Sequence, residues 1–117
     1  MSSKGVRIVV AGIIEQHRDG IVALCRKHRV RALWVFGSAT TEAWNPETSD
    51  IDFLVDLGEY DAQVHRRFFG LLHDLEDLTG RPLDLLTINS IENPYFLEEV
   101  NSTKVLLYGS PDTEAAA

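Results

Sequence analysis

The sequence predicts an α+β domain in which helices pack on a small mixed β-sheet. Three observations lead there. Stretches with apolar residues at three- and four-residue spacing alternate with short apolar runs, in the order α-β-(α)-β-α-β-α-β. The 117 residues are 44% hydrophobic and 25% charged, which suits a chain that buries a single core without staples. No internal repeat or low-complexity tract divides them. One domain is expected over residues 1–109, with 110–117 as a frayed tail.

Each element follows from its local pattern. Val6 to His28 is expected to be one helix, since Val10, Ile13, Ile14, His17, Ile21, Leu24, Cys25 and His28 form a single stripe. Gly12 and Gly20 weaken it by up to about 1 kcal/mol each, so packing must hold it. Val30 to Phe36 is the first strand, and Gly37 to Ser49 a turn with a short helix opening at Ser38. Ile51 to Leu57 is nearly continuous in apolar residues, as a central strand would be. Asp61 to Thr79 carries Val64, Phe68, Leu71, Leu72, Leu75 and Leu78 on one side, and Gly80 ends it. Pro82 to Ile88 is the third strand. Asn93-Pro94 starts a helix through Val100, and Val105 to Tyr108 closes the sheet.

Charge and cysteine narrow the function. A formal net charge of −7 disfavours broad binding of DNA or RNA, although a metal can reverse the sign of one acidic pocket. Cys25 is the single cysteine and falls on the apolar stripe, so it reads as a small core residue in a reducing compartment. No stretch has the pattern of a signal peptide or a membrane span, which makes the cytoplasm the expected location.

The chemistry concentrates in two places. Val35-Phe36-Gly37-Ser38 ends one apolar run, and Asp50-Ile51-Asp52 opens the next after eleven intervening residues. In a strand, residues i and i+2 share a face, so Asp50 and Asp52 should project together and repel unless a cation lies between them. Such a pair suits Mg²⁺ carrying a nucleoside triphosphate. The Gly37-Ser38 turn offers the other end of that ligand close backbone approach, N–H groups and a hydroxyl. Asp84 interrupts the third strand's apolar run and is a third carboxylate needing an explanation, with edge decoration as the bland one.

Phe36-Gly37-Ser38, then Ser49-Asp50-Ile51-Asp52-Phe53-Leu54-Val55, then Arg81-Pro82-Leu83-Asp84-Leu85-Leu86 resembles the minimal nucleotidyltransferases (MNT domains) of the DNA polymerase β-like superfamily. The resemblance implies that fold, with Gly37 and Ser38 holding the triphosphate. It implies that Asp50, Asp52 and Asp84 bind two Mg²⁺ ions and serve as the catalytic carboxylates. The reaction it implies is attack on the α-phosphate of ATP with pyrophosphate leaving. In this family such small chains are often the antitoxin of a helical HEPN partner, adenylylating one of its tyrosines, covering it, or both. One departure stands out. Where relatives carry an arginine and a glycine, this chain has Thr40-Thr41-Glu42, and a carboxylate there repels a triphosphate. The alternative reading is therefore a binding module that neutralises a helical partner by contact alone. A weaker third reading is a multi-chain enzyme acting on a small molecule or an RNA end. Acceptor, base preference and oligomeric state are left open.

Other residues carry blander expectations. His17, His28, His65 and His73 lack metal-ligand spacing. Arg66-Arg67 reads as a solvated face, and Trp44 equally as a base-stacking group or a lid on the core. Phe69, next to Phe68 of the core stripe, points toward a protein interface, and Asp56 is structural.

Overall fold

The computed structural model describes residues 9–109. Helices α1 (Gly12–Gln16) and α2 (Arg18–Lys27) lead into strand β1 (Ala32–Phe36) and a 3-10 turn over Gly37–Thr40. Strand β2 (Ile51–Asp56), helix α3 (Val64–Thr79) and strand β3 (Leu83–Thr87) follow. A second 3-10 turn (Ile88–Ser90), helix α4 (Pro94–Thr103) and strand β4 (Val105–Gly109) complete the order. The sheet runs β3-β2-β1-β4, with β1 antiparallel to β2 and to β4, and β2 parallel to β3. A mixed sheet covered by helices is thus what the alternating pattern foretold.

Both faces of the sheet are covered, and the period-two alternation decides which residues go where. Leu33 and Val35 of β1, Ile51, Phe53 and Val55 of β2, and Leu83 and Leu85 of β3 meet Ile14, Ile21, Cys25, Leu71 and Leu75 from α1 to α3. The opposite face carries Ala32, Trp34, Phe36 and Leu54, packed with Val100 of α4. Burying some twenty apolar side chains at roughly 1.5–3 kcal/mol each is what offsets the entropy of ordering the chain.

The first helix departs from expectation. It divides at His17, whose N–H is shared between the carbonyls of Ile13 and Ile14. The break was hidden because Ile14 and Ile21 reach the same core from either side of it. Among the described residues the helix starts at Gly12, while Val9 and Ala11 donate to the carbonyls of Thr40 and Ala39. The expected residues 6–8 of that helix, and the tail at 110–117, lie outside the described residues.

Elsewhere the ends shift by a few residues. The α2–β1 connection turns through Arg29 at φ +56°, so β1 starts at Ala32 rather than Val30. Asp61 forms a side-chain turn with the N–H of Gln63, which delays α3 to Val64. Asn93 caps α4 as its sequence signals, accepting from Tyr95 and Phe96, and the helix runs on to Thr103. Among the described residues no helix is long and apolar enough to cross a membrane.

Candidate active site

The sheet register assembles the site. Asp52 pairs with Phe36 across the antiparallel β1–β2 ladder and with Asp84 across the parallel β2–β3 ladder. Neighbouring strands lie about 4.8 Å apart, so the two carboxylates stand side by side. Both point to the α4 face, since Ile51, Phe53, Leu83 and Leu85 take the other. Gly37, the residue after Phe36, turns away from β1 at φ +76° and passes directly over Asp52. A β-carbon on Gly37 would sit 2.7 Å from Asp52 Oδ2. Only glycine meets both demands.

Burial pushes the Asp52 carboxyl up to about 7, and Asp84 adds to the rise by accepting a hydrogen bond from the protonated Asp52. The charges of Asp84 and then Asp50 act in the same direction. Among the described residues none of the three carboxylates forms an ion pair, so no internal arginine or lysine occupies the place of a cation. The structure brings Asp52 and Asp84 together and keeps Asp50, just ahead of β2, exposed and acting through its charge. Among the described residues no three His, Cys, Asp or Glu side chains are arranged as a ready metal-binding group. The donor chemistry still fits a hard divalent cation: all oxygens, and two carboxylates that cannot both ionise cheaply without one.

The turn itself is held from behind. Gly37 donates its N–H to Thr103 Oγ1 at 3.0 Å, so this N–H does not face a ligand, contrary to the expectation for the turn. Thr40, fully buried, donates to the Thr103 carbonyl at 2.6 Å, with the Gly37 carbonyl at 3.0 Å from the same hydroxyl. Thr41 closes the turn, its N–H and hydroxyl both directed to the Ser38 carbonyl. The Ser38 hydroxyl has no partner among the described residues. Thr40 is therefore a core strut rather than the empty place of a missing cation, while Glu42 is exposed beside it.

Two arginines take structural roles that the sequence did not signal. Arg81 donates to the carbonyls of Pro46 (2.7 Å) and Ser49 (3.3 Å), and its guanidinium lies 5.2 Å from the Trp44 ring centre. It thereby pins the loop that delivers Asp50. Trp44 is partly buried and packs against the core, as a lid on it would. Arg67, expected on a solvated face, is buried instead and donates to the carbonyls of Arg29, Leu57 and Glu59. Loop carbonyls as partners leave no trace in the sequence. Of the histidines, His28 bonds Asp74 at 2.8 Å, and Asp56 is structural as expected, accepting from Arg31 and from the Gly58 N–H.

A family model described as polymerase beta, nucleotidyltransferase matches residues 19–113, which include all of these groups. The chain belongs to the polymerase β nucleotidyltransferase family. A relative from Methanocaldococcus jannaschii, named as a candidate protein adenylyltransferase, is 34% identical over 95 residues, covering 81% of this chain and 91% of its own. A second from the same organism, similarly named, is 32% identical over 91 residues, or 78% and 87% of the two chains. A solved candidate minimal nucleotidyltransferase superposes with a TM-score of 0.62 at 27% identity, over 83% of this chain and 95% of that one. The antitoxin complexed with the tri-AMPylated HEPN toxin of Shewanella oneidensis shares the fold, with TM-score 0.62, 18% identity and 87% and 77% coverage. As a member of this family the chain is a nucleotidyltransferase.

Proposed function

We propose that the chain transfers AMP from ATP to a hydroxyl on a partner protein, as the antitoxin of a HEPN/MNT-type pair. The observation that carries this is the Asp52–Asp84 carboxylate pair set directly beneath the Gly37–Ser38 turn. A protein acceptor is supported by the names of the curated relatives and by the net charge of −7, which ill suits nucleic acid. A HEPN partner is supported by the Shewanella complex of the same fold.

Asp52 and Asp84, joined by Asp50, would hold Mg²⁺. When bound, the metal supplies charge stabilisation to the attacking and leaving oxygens. The chain's own residues do the rest. Ser38 holds the triphosphate by its hydroxyl, and Gly37 lets the backbone approach. An acceptor oxygen attacks the α-phosphorus, the bond to the β-phosphate oxygen breaks, and pyrophosphate departs. The acceptor's proton passes to Asp84.

A second reading, neutralisation by contact alone, is favoured by the exposed Glu42 beside the turn and by Asp50 standing apart from the other two carboxylates. One experiment separates the two. The purified chain is incubated with α-labelled ATP, Mg²⁺ and whatever protein copurifies with it. Label on the partner, lost in Asp52→Asn and in Asp84→Asn, establishes transfer. Neutralisation of the partner that survives both substitutions with no label appearing establishes contact.

A further inference from the structure

We infer that Thr103, the last residue of α4, is a positioning residue for the nucleotide, acting through the Gly37–Ser38 turn that it clamps from behind. The inference rests on the nucleotide-binding role given to that turn above, and goes beyond it by assigning α4 a part in setting the turn's shape.

The clamp is a closed circuit. Thr103 Oγ1 accepts the N–H of Gly37 at 3.0 Å and faces the carbonyl of its own Glu99 at 3.2 Å, where its proton goes. The Thr103 carbonyl accepts the hydroxyl of Thr40 at 2.6 Å. That carbonyl is one of the four that a helix leaves without a partner at its C-terminal end, so the turn supplies what α4 lacks. Gly37 and Thr40 are the two ends of the 3-10 turn, and Thr103 holds both. Thr103 and Thr40 are buried, so the bond between them forms away from competing water, where losing one partner leaves the other unsatisfied, while the Gly37 bond is part-buried.

The remaining side of the turn is tied down as well, by Val9 and Ala11 donating to the carbonyls of Thr40 and Ala39. With its back and flank committed, the turn still presents the Ser38 hydroxyl, which has no partner among the described residues. The left-handed backbone at Gly37, where an added β-carbon would stand 2.7 Å from Asp52 Oδ2, leaves little room for drift before the turn meets the acid pair. Thr103 thus fixes the separation between the group that grips phosphate and the groups that grip metal. A misplacement of ~1 Å in such a site costs roughly a hundredfold in rate.

The test compares Thr103→Val, which keeps shape and removes the acceptor, with Thr103→Ser, which keeps the hydroxyl. Each is titrated with a non-hydrolysable ATP analogue in Mg²⁺, and its melting temperature is followed. Amide hydrogen exchange at Gly37 reports whether the clamp has opened. The expected result is about tenfold weaker analogue binding and faster Gly37 exchange in Thr103→Val, with restoration of both in Thr103→Ser; a tenfold loss is about 1.4 kcal/mol. Should Thr103→Val fail to fold, Thr40→Ser and Thr40→Val serve the same comparison at the other end of the turn. Unchanged analogue affinity in the valine variant, while Ser38→Ala and Asp52→Asn weaken binding, overturns this inference alone. A wild-type chain that binds no nucleotide overturns it together with the proposed function.

Discussion

The Asp52 carboxylate lies against Gly37 so closely that a single added methyl would stand 2.7 Å from its Oδ2. One contact thus joins the end of β1 to the start of β2, and the turn to the acid pair. Gly37→Ala must either displace Asp52 or abandon φ +76°, and each route deforms the site. The expected outcome is a loss of about 1–3 kcal/mol in stability and of at least roughly a hundredfold in transfer. Thermal melting and label transfer on the same preparation check it.

Stability of the metal-free chain should depend on the ionisation of Asp52. Its folded carboxyl is pushed up to about 7, above the ordinary aspartate value, so folding favours the protonated form. The favourable contribution is complete below pH about 4 and disappears as pH rises through about 7. Melting temperature is therefore expected to fall between pH 5 and pH 8 through this group. Asp52→Asn should flatten that fall and raise the melting temperature at pH 8 by about 2–4 °C, a figure reduced because the group is only half-buried. A scan of both chains across that range provides the check.

Arg81→Ala is expected to loosen the loop from Trp44 to Ser49, since it removes both carbonyl contacts and the ring contact together. A cost of about 1 kcal/mol should appear in chemical denaturation, with faster proteolysis confined to that loop. Arg81→Lys should recover only part, because one ammonium cannot reproduce the planar contact over the ring.

The strands were legible to within a residue or two because each is a short apolar run between turn residues, as Ile51 to Asp56 shows. The acid pair was legible in kind but not in partnership. Spacing joined Asp50 to Asp52, whereas β2 begins at Ile51 and the neighbour that Asp52 touches is Asp84 on the next strand. Register across strands is not written in local spacing. Gly20, read as a weak point of the first helix, is where α2 meets α3: a β-carbon there would come within 2.9 Å of Leu78. Arg67 was misread for a related reason, since its three carbonyl partners lie on connections that only the fold brings together.

Arg67 supplies a further prediction. Arg67→Met leaves the carbonyl of Leu57 without this donor at a buried place and that of Glu59 at a part-buried one. About 2–4 kcal/mol of stability should be lost, with nucleotide affinity at low temperature unchanged because the site lies at the other end of β2. Denaturant unfolding and an analogue titration below the transition decide it.

Anomalous diffraction from crystals grown with Mn²⁺ and a non-hydrolysable ATP analogue is the most direct measurement. The account requires a manganese peak within about 2.3 Å of carboxylate oxygens of both Asp52 and Asp84, with the analogue's phosphates on Ser38. Manganese bound elsewhere, or phosphates lying away from the Gly37–Ser38 turn, would contradict it.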